Sequence, residues 1–156
     1  MAMATITVPK DYGYVLLSAA LTPLLASWLS FRVPPYRSRA KVAMPQVYAE
    51  HSQIAAAEPA QQKAMYLYNC AQRAHGNFVE NQPSLLISLL IAGLRWPLVS
   101  AGLGAAWSVS RVLYSVGYTD ETKERGSGRY VGLWWIPVQS VLFLMAAWVG
   151  GEFALQ

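Results

Sequence analysis

Four long apolar stretches, separated by shorter polar segments, run along the chain. They cover residues 12–31, 65–94, 98–118 and 130–153. A helix of about 20 residues rises about 30 Å, which is the thickness of the hydrocarbon core of a bilayer. The pattern therefore predicts an all-α integral membrane protein with four transmembrane helices. The first helix is expected to end at Arg32 and the helix-breaking pair Pro34 and Pro35.

A polar segment, residues 37–63, separates the first two stretches and contains a flexible-looking run at residues 55–62. Nothing along the chain resembles a linker between domains, and no internal repeat is visible. We therefore expect one membrane domain over residues 1–156.

The second stretch differs from the others because its first half is polar. Arg73, Asn77 and Glu80 are spaced i, i+4 and i+7, which places them on one helical face, and Asn69 extends the same stripe. An ionisable residue inside a membrane span costs about 2.5–3.5 kcal/mol and is a functional-site hypothesis by default. This stripe is therefore the first candidate site.

A second polar stripe lies on the third stretch. Arg111, Tyr114 and Tyr118 are spaced i, i+3 and i+7. Both stripes lie nearer the same ends of their helices, so we expect them to face each other and to define one site.

The residue types limit what this site could hold. Arginines bind carboxylates in a bidentate manner, and a buried glutamate can pair with an ammonium group. The set suits a small zwitterion with more carboxylates than amines. Glutathione has this description, and so do other peptides. The alternative is an internal ion pair between Arg73 and Glu80 that only holds the bundle together.

Composition supports the membrane assignment. Hydrophobic residues make up 54% of the chain and charged residues 13%, whereas about 25% charged residues are typical of soluble domains. Six Trp and nine Tyr suit the interfaces of a bilayer. The net charge of +4 comes from residues scattered between apolar segments, which favours anchoring beside the membrane over nucleic-acid binding.

The positive charges also predict an orientation. Outside the predicted spans, the opposite side of the membrane holds two positive residues, Lys10 and Arg95. The loops after spans one and three hold eight, which are Arg32, Arg37, Arg39, Lys41, Lys63, Lys123, Arg125 and Arg129. The two loops and the site are therefore expected to face the cytosol, with both termini lumenal. Cys70 is the only cysteine and His75 has no ligand partner at suitable spacing, so no metal site is expected.

Three segments resemble the MAPEG family (membrane-associated proteins in eicosanoid and glutathione metabolism). The run from Asn69 to Glu80, followed by Pro83, is similar to the signature of the second helix of that family and is closest to the type-three microsomal glutathione transferases. The runs 102–118 and 9–14 are similar to the third helix and to the start of type-three members. The resemblance as a whole covers most of the chain.

The resemblance implies a left-handed four-helix bundle that assembles as a homotrimer, with glutathione bound between subunits. Most of the polar set would bind glutathione, with Glu80 at the γ-glutamyl ammonium; the implied residues are Arg37 (from the neighbouring subunit), Arg73, Asn77, Glu80, Arg111, Tyr114 and Tyr118. Arg125 would stabilise the thiolate, and Arg129 is the alternative. Endoplasmic reticulum is the expected membrane, with the outer mitochondrial membrane as the alternative.

The implied activity is a glutathione transferase that also reduces lipid hydroperoxides, with glutathione as cosubstrate and a lipophilic electrophile or hydroperoxide from the membrane lipid as partner. A dedicated lipid-epoxide synthase and a non-enzymatic membrane adaptor stay open. Three features depart from the family pattern: the stretch between Pro45 and Asn69 is longer, Gly76 replaces the usual Gln, and Asn81 stands where leukotriene-forming relatives have Tyr.

Overall fold

The computed structural model describes residues 8–155, and within that range all regular structure is helical. The α-helices are α1 (Tyr12–Ala40), α2 (His51–Ala56), α3 (Pro59–Gly93), α4 (Pro97–Tyr118) and α5 (Trp135–Ala154), and a 3-10 segment (Glu124–Gly132) connects α4 to α5. The prediction of an all-α protein is confirmed.

The four long helices form a bundle in which α3 and α4 each pack against both α1 and α5. Side chains from all four helices share one apolar core, which consists of Val15, Leu29, Phe78, Leu85, Leu89, Ala92, Trp107 and Leu142. Phe78 and Trp107 lie at its centre, with ring centroids 5.3 Å apart. The four core residues of α3 are spaced by seven, four and three residues, so they lie on one face of that helix.

Among the described residues, two helices, α1 and α5, are long and apolar enough to cross a membrane. The sequence predicted four such helices. Only 22% of the most apolar window of α1 and 17% of that of α5 are buried. A core helix of a soluble protein would be mostly buried, so these exposed apolar faces are typical of a membrane protein. α3 and α4 are long enough, with 35 and 22 residues, but neither contains a stretch apolar enough to meet the same criterion.

The prediction that Pro34 and Pro35 end the first helix is wrong. α1 continues through both residues to Ala40, and Lys41 then ends it in a left-handed conformation (φ 51°). Each proline removes one hydrogen bond to the carbonyl four residues earlier, here those of Ser30 and Phe31. Both of those residues are exposed, so the helix can continue without burying an unpaired carbonyl.

The prediction that residues 55–62 form a flexible run is also wrong, since most of these residues are helical. α2 begins after a capping box formed by Glu50 and Gln53. α3 then begins at Pro59, because proline suits the first turn of a helix, where its missing N–H would have no partner. As a result α3 begins six residues before the predicted span and carries the polar stripe well inside one continuous helix.

Candidate functional site

A cavity of about 490 Å³ opens at the end of the bundle where α3 begins and α4 ends. Its lining comes from the loop before α2, from α3 and α4, and from the 3-10 segment, and consists of Tyr48, Tyr66, Asn69, Cys70, Arg73, Tyr118 and Arg125. The volume lies in the range of small-molecule sites. Arg73, Tyr118 and Arg125, which the sequence analysis selected from three separate segments, are thus brought to one cavity.

Arg73 forms an ion pair with Glu80. Two nitrogens of the guanidinium donate to the two carboxylate oxygens, at 2.7 and 3.2 Å. Both side chains are about half exposed, at 46% and 54%. The pair joins two residues of one helix and is open to its surroundings, so it does not hold the helices of this chain together. The open face leaves both charged groups accessible to a ligand.

Arg111 lies behind this surface rather than in the cavity. It is 1% exposed, and its guanidinium lies 4.8–5.8 Å from the centroids of four aromatic rings, those of Phe78, Trp107, Tyr114 and Trp135. One nitrogen donates to Oδ1 of Asn77 at 2.8 Å. The two predicted stripes therefore do face each other, and the contact between them is this hydrogen bond.

The bond to Arg111 determines how Asn77 presents its amide. A guanidinium has donors and no acceptor, so Asn77 must turn its oxygen toward Arg111 and its NH₂ group away. Asn77 is only partly buried, which leaves that NH₂ group available as a donor. Arg111 itself, being fully buried, acts through Asn77 and does not reach the cavity. Tyr114 is likewise buried and packs edge-on against Tyr118, with ring centroids 5.5 Å apart.

The guanidinium of Arg37 also has its partners within the same chain. It donates to the carbonyl of Gln46 at 2.7 Å and lies 4.9 Å from the ring centroid of Tyr68. These contacts tie the loop after α1 to α3. Arg37 does not line the cavity of its own chain.

Arg125 lies in a left-handed turn within the 3-10 segment. Its φ is 52°, and that of the following Gly126 is 61°. A non-glycine residue in this region of backbone space is uncommon. Arg129 stabilises the turn, because one of its nitrogens donates to the carbonyls of both Arg125 and Gly126, at 2.9 Å each. The guanidinium of Arg129 also lies 5.0 Å from the ring centroid of Tyr118.

Glycines dock the 3-10 segment closely against α4. A Cβ on Gly117 or Gly128 would collide with the backbone of the other, and one on Gly132 would collide with the backbone of Tyr114. Ser110 donates a 2.6 Å hydrogen bond to the carbonyl of Gly132. This backbone-to-backbone packing holds the segment that carries Arg125 in a defined position.

Several cavity residues were not among the predicted site residues. Tyr66 and Cys70 precede Arg73 by seven and three residues, so the helical spacing that revealed the stripe could have revealed them. The sequence alone excluded a metal role for Cys70 but did not predict its place in the cavity. Tyr48 lies in a loop, where no periodic pattern marks a functional side chain.

A comparison with protein families agrees with this arrangement. The sequence profile of the MAPEG family matches residues 15–150, which is most of the chain and includes every helix that contributes to the cavity. The chain belongs to the MAPEG family. This family comprises membrane proteins that include glutathione transferases and related enzymes, and some of its members are not transferases. Its members use glutathione and lipophilic substrates and generally form trimers.

Proposed function

We propose that this MAPEG protein is a membrane-bound glutathione transferase of the type-three microsomal kind, which also reduces lipid hydroperoxides. The observation that carries the proposal is the cavity in which Arg73 and Arg125, from two separate elements, lie together with Tyr118. Two fixed cations around one cavity suit a ligand with two carboxylates and a thiolate. Glutathione has this set of charges.

Arg125 is the proposed partner of the thiolate. A free thiol has a pKa of about 8.5, and the thiolate is the nucleophile. A guanidinium keeps its proton, so its approach lowers the pKa of the thiol of the bound glutathione. Arg125 is favoured over Arg129 because Arg125 lines the cavity, whereas the guanidinium of Arg129 is engaged by two carbonyls of the turn.

Both reactions use the same thiolate. In conjugation its sulfur forms a bond to an electrophilic carbon, and the leaving group departs or an epoxide opens and takes a proton from water. In peroxide reduction the sulfur attacks the terminal oxygen of the hydroperoxide, the O–O bond breaks, and the lipid leaves as an alcohol. A second glutathione then reduces the resulting sulfenic acid, with glutathione disulfide and water as products.

The assembly proposed for this activity is a homotrimer. The open Arg73–Glu80 face and the exposed stripe around it support a neighbouring subunit at that surface, since α3 would otherwise expose ionised groups to lipid. Asn77, Glu80 and the neighbour's Arg37 would complete the glutathione site. The eight positive charges that follow the first and third predicted spans support a cytosolic opening and lumenal termini, with endoplasmic reticulum as the proposed membrane.

The test uses detergent-purified protein and two variants. We expect Arg125→Ala to reduce kcat for conjugation at least a hundredfold and to abolish the thiolate absorbance of bound glutathione near neutral pH, while glutathione still binds. Arg129→Lys should retain part of both signals, because its role is to hold the turn. Equal activity in Arg125→Ala and the unaltered protein would refute the role of Arg125. An unaltered protein that does not bind millimolar glutathione would refute the transferase proposal and favour an adaptor.

A further inference from the structure

Tyr48 lies in the loop between α1 and α2, on the stretch that is longer than the family pattern. Both of its neighbours in the chain are tied to α3. Asn69 accepts a hydrogen bond from the N–H of Ala49 at 2.8 Å and donates one to its carbonyl at 2.9 Å. Tyr68 donates to the carbonyl of Val47 at 2.6 Å. The backbone of Tyr48 is therefore held in place from both sides, which is unusual for an exposed loop.

The side chain of Tyr48 reaches the cavity and lines it together with Arg73. Its hydroxyl lies above Gly76, where a Cβ would approach it to 3.8 Å and would meet no other atom within 4 Å. A longer side chain at this position would extend beyond that Cβ toward the hydroxyl. Gly76 therefore leaves room for the phenol of Tyr48 at the wall of the cavity.

We propose that Tyr48 is a ligand-binding residue of this protein and that its hydroxyl donates to the α-carboxylate of the γ-glutamyl group of glutathione. The inference rests on the proposed function. Arg73 and Glu80 form a neighbouring cation and anion, a pair that suits the carboxylate and the ammonium of an amino-acid head group. The cavity that Tyr48 lines includes Arg73 and not Glu80, so the hydroxyl lies beside the cation that would bind the carboxylate. A phenol that is not ionised donates one hydrogen bond, which a carboxylate accepts.

The experiment measures glutathione binding by calorimetry with the unaltered protein, Tyr48→Phe and a matched control, Tyr36→Phe. Tyr36 lies on α1 near the same end of the bundle, beside a different cavity. Since a hydrogen bond to a charged group is lost, Tyr48→Phe should raise the Kd for glutathione about tenfold. The control should leave the Kd unchanged, and both variants should keep the thermal midpoint of the unaltered protein.

A ligand analogue identifies the group that Tyr48 contacts. In 4-aminobutanoyl-cysteinylglycine the γ-glutamyl carboxylate is missing and the amine is kept. All proteins should bind it more weakly than glutathione, and Tyr48→Phe should bind it as well as the unaltered protein does. The inference is overturned if Tyr48→Phe binds glutathione within twofold of the unaltered protein, or if it loses the same factor with both ligands.

A second variant tests the link between the hydroxyl and the glycine. Gly76→Leu should displace the hydroxyl without supplying a donor, and leucine at a helical position favours the helix. Because both changes remove the same contact, the double variant Tyr48→Phe/Gly76→Leu should bind glutathione no more weakly than Gly76→Leu alone. A further tenfold loss in the double variant would contradict the proposal. Failure of the unaltered protein to bind glutathione would refute the proposed function instead, which the calorimetry distinguishes.

Discussion

Replacing Arg111 with methionine is expected to weaken glutathione binding while leaving the protein as stable as before. Arg111 is 1% exposed and has one hydrogen bond, to Asn77 at 2.8 Å. Its Nε and Nη1 atoms are buried without a partner among residues 8–155. Met is an unbranched side chain of similar length that packs well against aromatic rings. The variant therefore removes a charge and a hydrogen bond and largely keeps the packing.

The contributions of Arg111 to stability oppose each other. Burying the guanidinium away from water costs several kcal/mol. The charge-assisted hydrogen bond to Asn77 stabilises by about 1.5–3 kcal/mol, and each of the four aromatic rings adds at least about 0.5 kcal/mol. Because these contributions oppose each other and are of similar size, Arg111→Met should shift the thermal midpoint in detergent by only a few degrees. Asn77→Ala should lower the free energy of unfolding by more, about 3 kcal/mol, because it leaves the buried cation of Arg111 with no hydrogen bond.

Binding should respond in a different way. Without Arg111 the amide of Asn77 can turn over, so its NH₂ group no longer points reliably to the ligand. We expect the Kd for glutathione to rise about tenfold in Arg111→Met, which is the effect of losing about 1.4 kcal/mol. Calorimetry and thermal unfolding on the same preparations would measure both effects. The reasoning is refuted if Arg111→Met is destabilised more than Asn77→Ala, or if it binds glutathione as tightly as the unaltered protein.

Three further predictions concern the rest of the chain. Gly132→Ala should lower the thermal midpoint markedly, by the equivalent of at least about 2 kcal/mol, because its Cβ would collide with the backbone of α4. Gln139→Leu should destabilise the protein by about 1–2 kcal/mol in the same melts, since Trp107 then loses the acceptor of its buried 2.9 Å hydrogen bond. Thr122→Ala should raise the pKa of Asp120, measured by NMR of the carboxyl group, because it removes the hydroxyl hydrogen bond from Thr122, the largest of the causes that lower that pKa. The stabilisation from Asp120 is present above the carboxyl's unfolded-state pKa and is lost as the pH falls through its lowered folded-state pKa, so Thr122→Ala should weaken that pH dependence.

The sequence was sufficient for the helices and for part of the site. Long apolar stretches predicted all four long helices, because a run of about 20 apolar residues matches the thickness of a bilayer. Helical spacing predicted that Arg73, Asn77 and Glu80 share a face. It also predicted that the stripe of Arg111 faces the stripe of Asn77, since polar groups within a membrane protein need one another as partners. The MAPEG family could be recognised from the same run of residues.

The helix ends were predicted less well, since local rules compete with longer-range packing there. Pro34 and Pro35 do not end α1, because the carbonyls that they leave unpaired are exposed. The run at residues 55–62 is mostly helical because capping by Glu50 and Pro59 outweighs its flexible composition. In both cases the deciding factor is the surroundings of a backbone group, which composition does not reveal.

Only the tertiary structure decided which polar residues reach the cavity and which act from behind it. Arg111 and Arg73 look alike in the sequence, each an arginine within a polar stripe, yet one is enclosed by four rings and the other lines the cavity. Arg125 and Arg129 differ in the same way, because a left-handed turn directs one to the cavity and the other to the carbonyls of the turn. Tyr48 enters the cavity from a loop held by Asn69. Helical periodicity determines the face on which a residue lies, but its depth and its hydrogen-bond partners depend on segments distant in the chain.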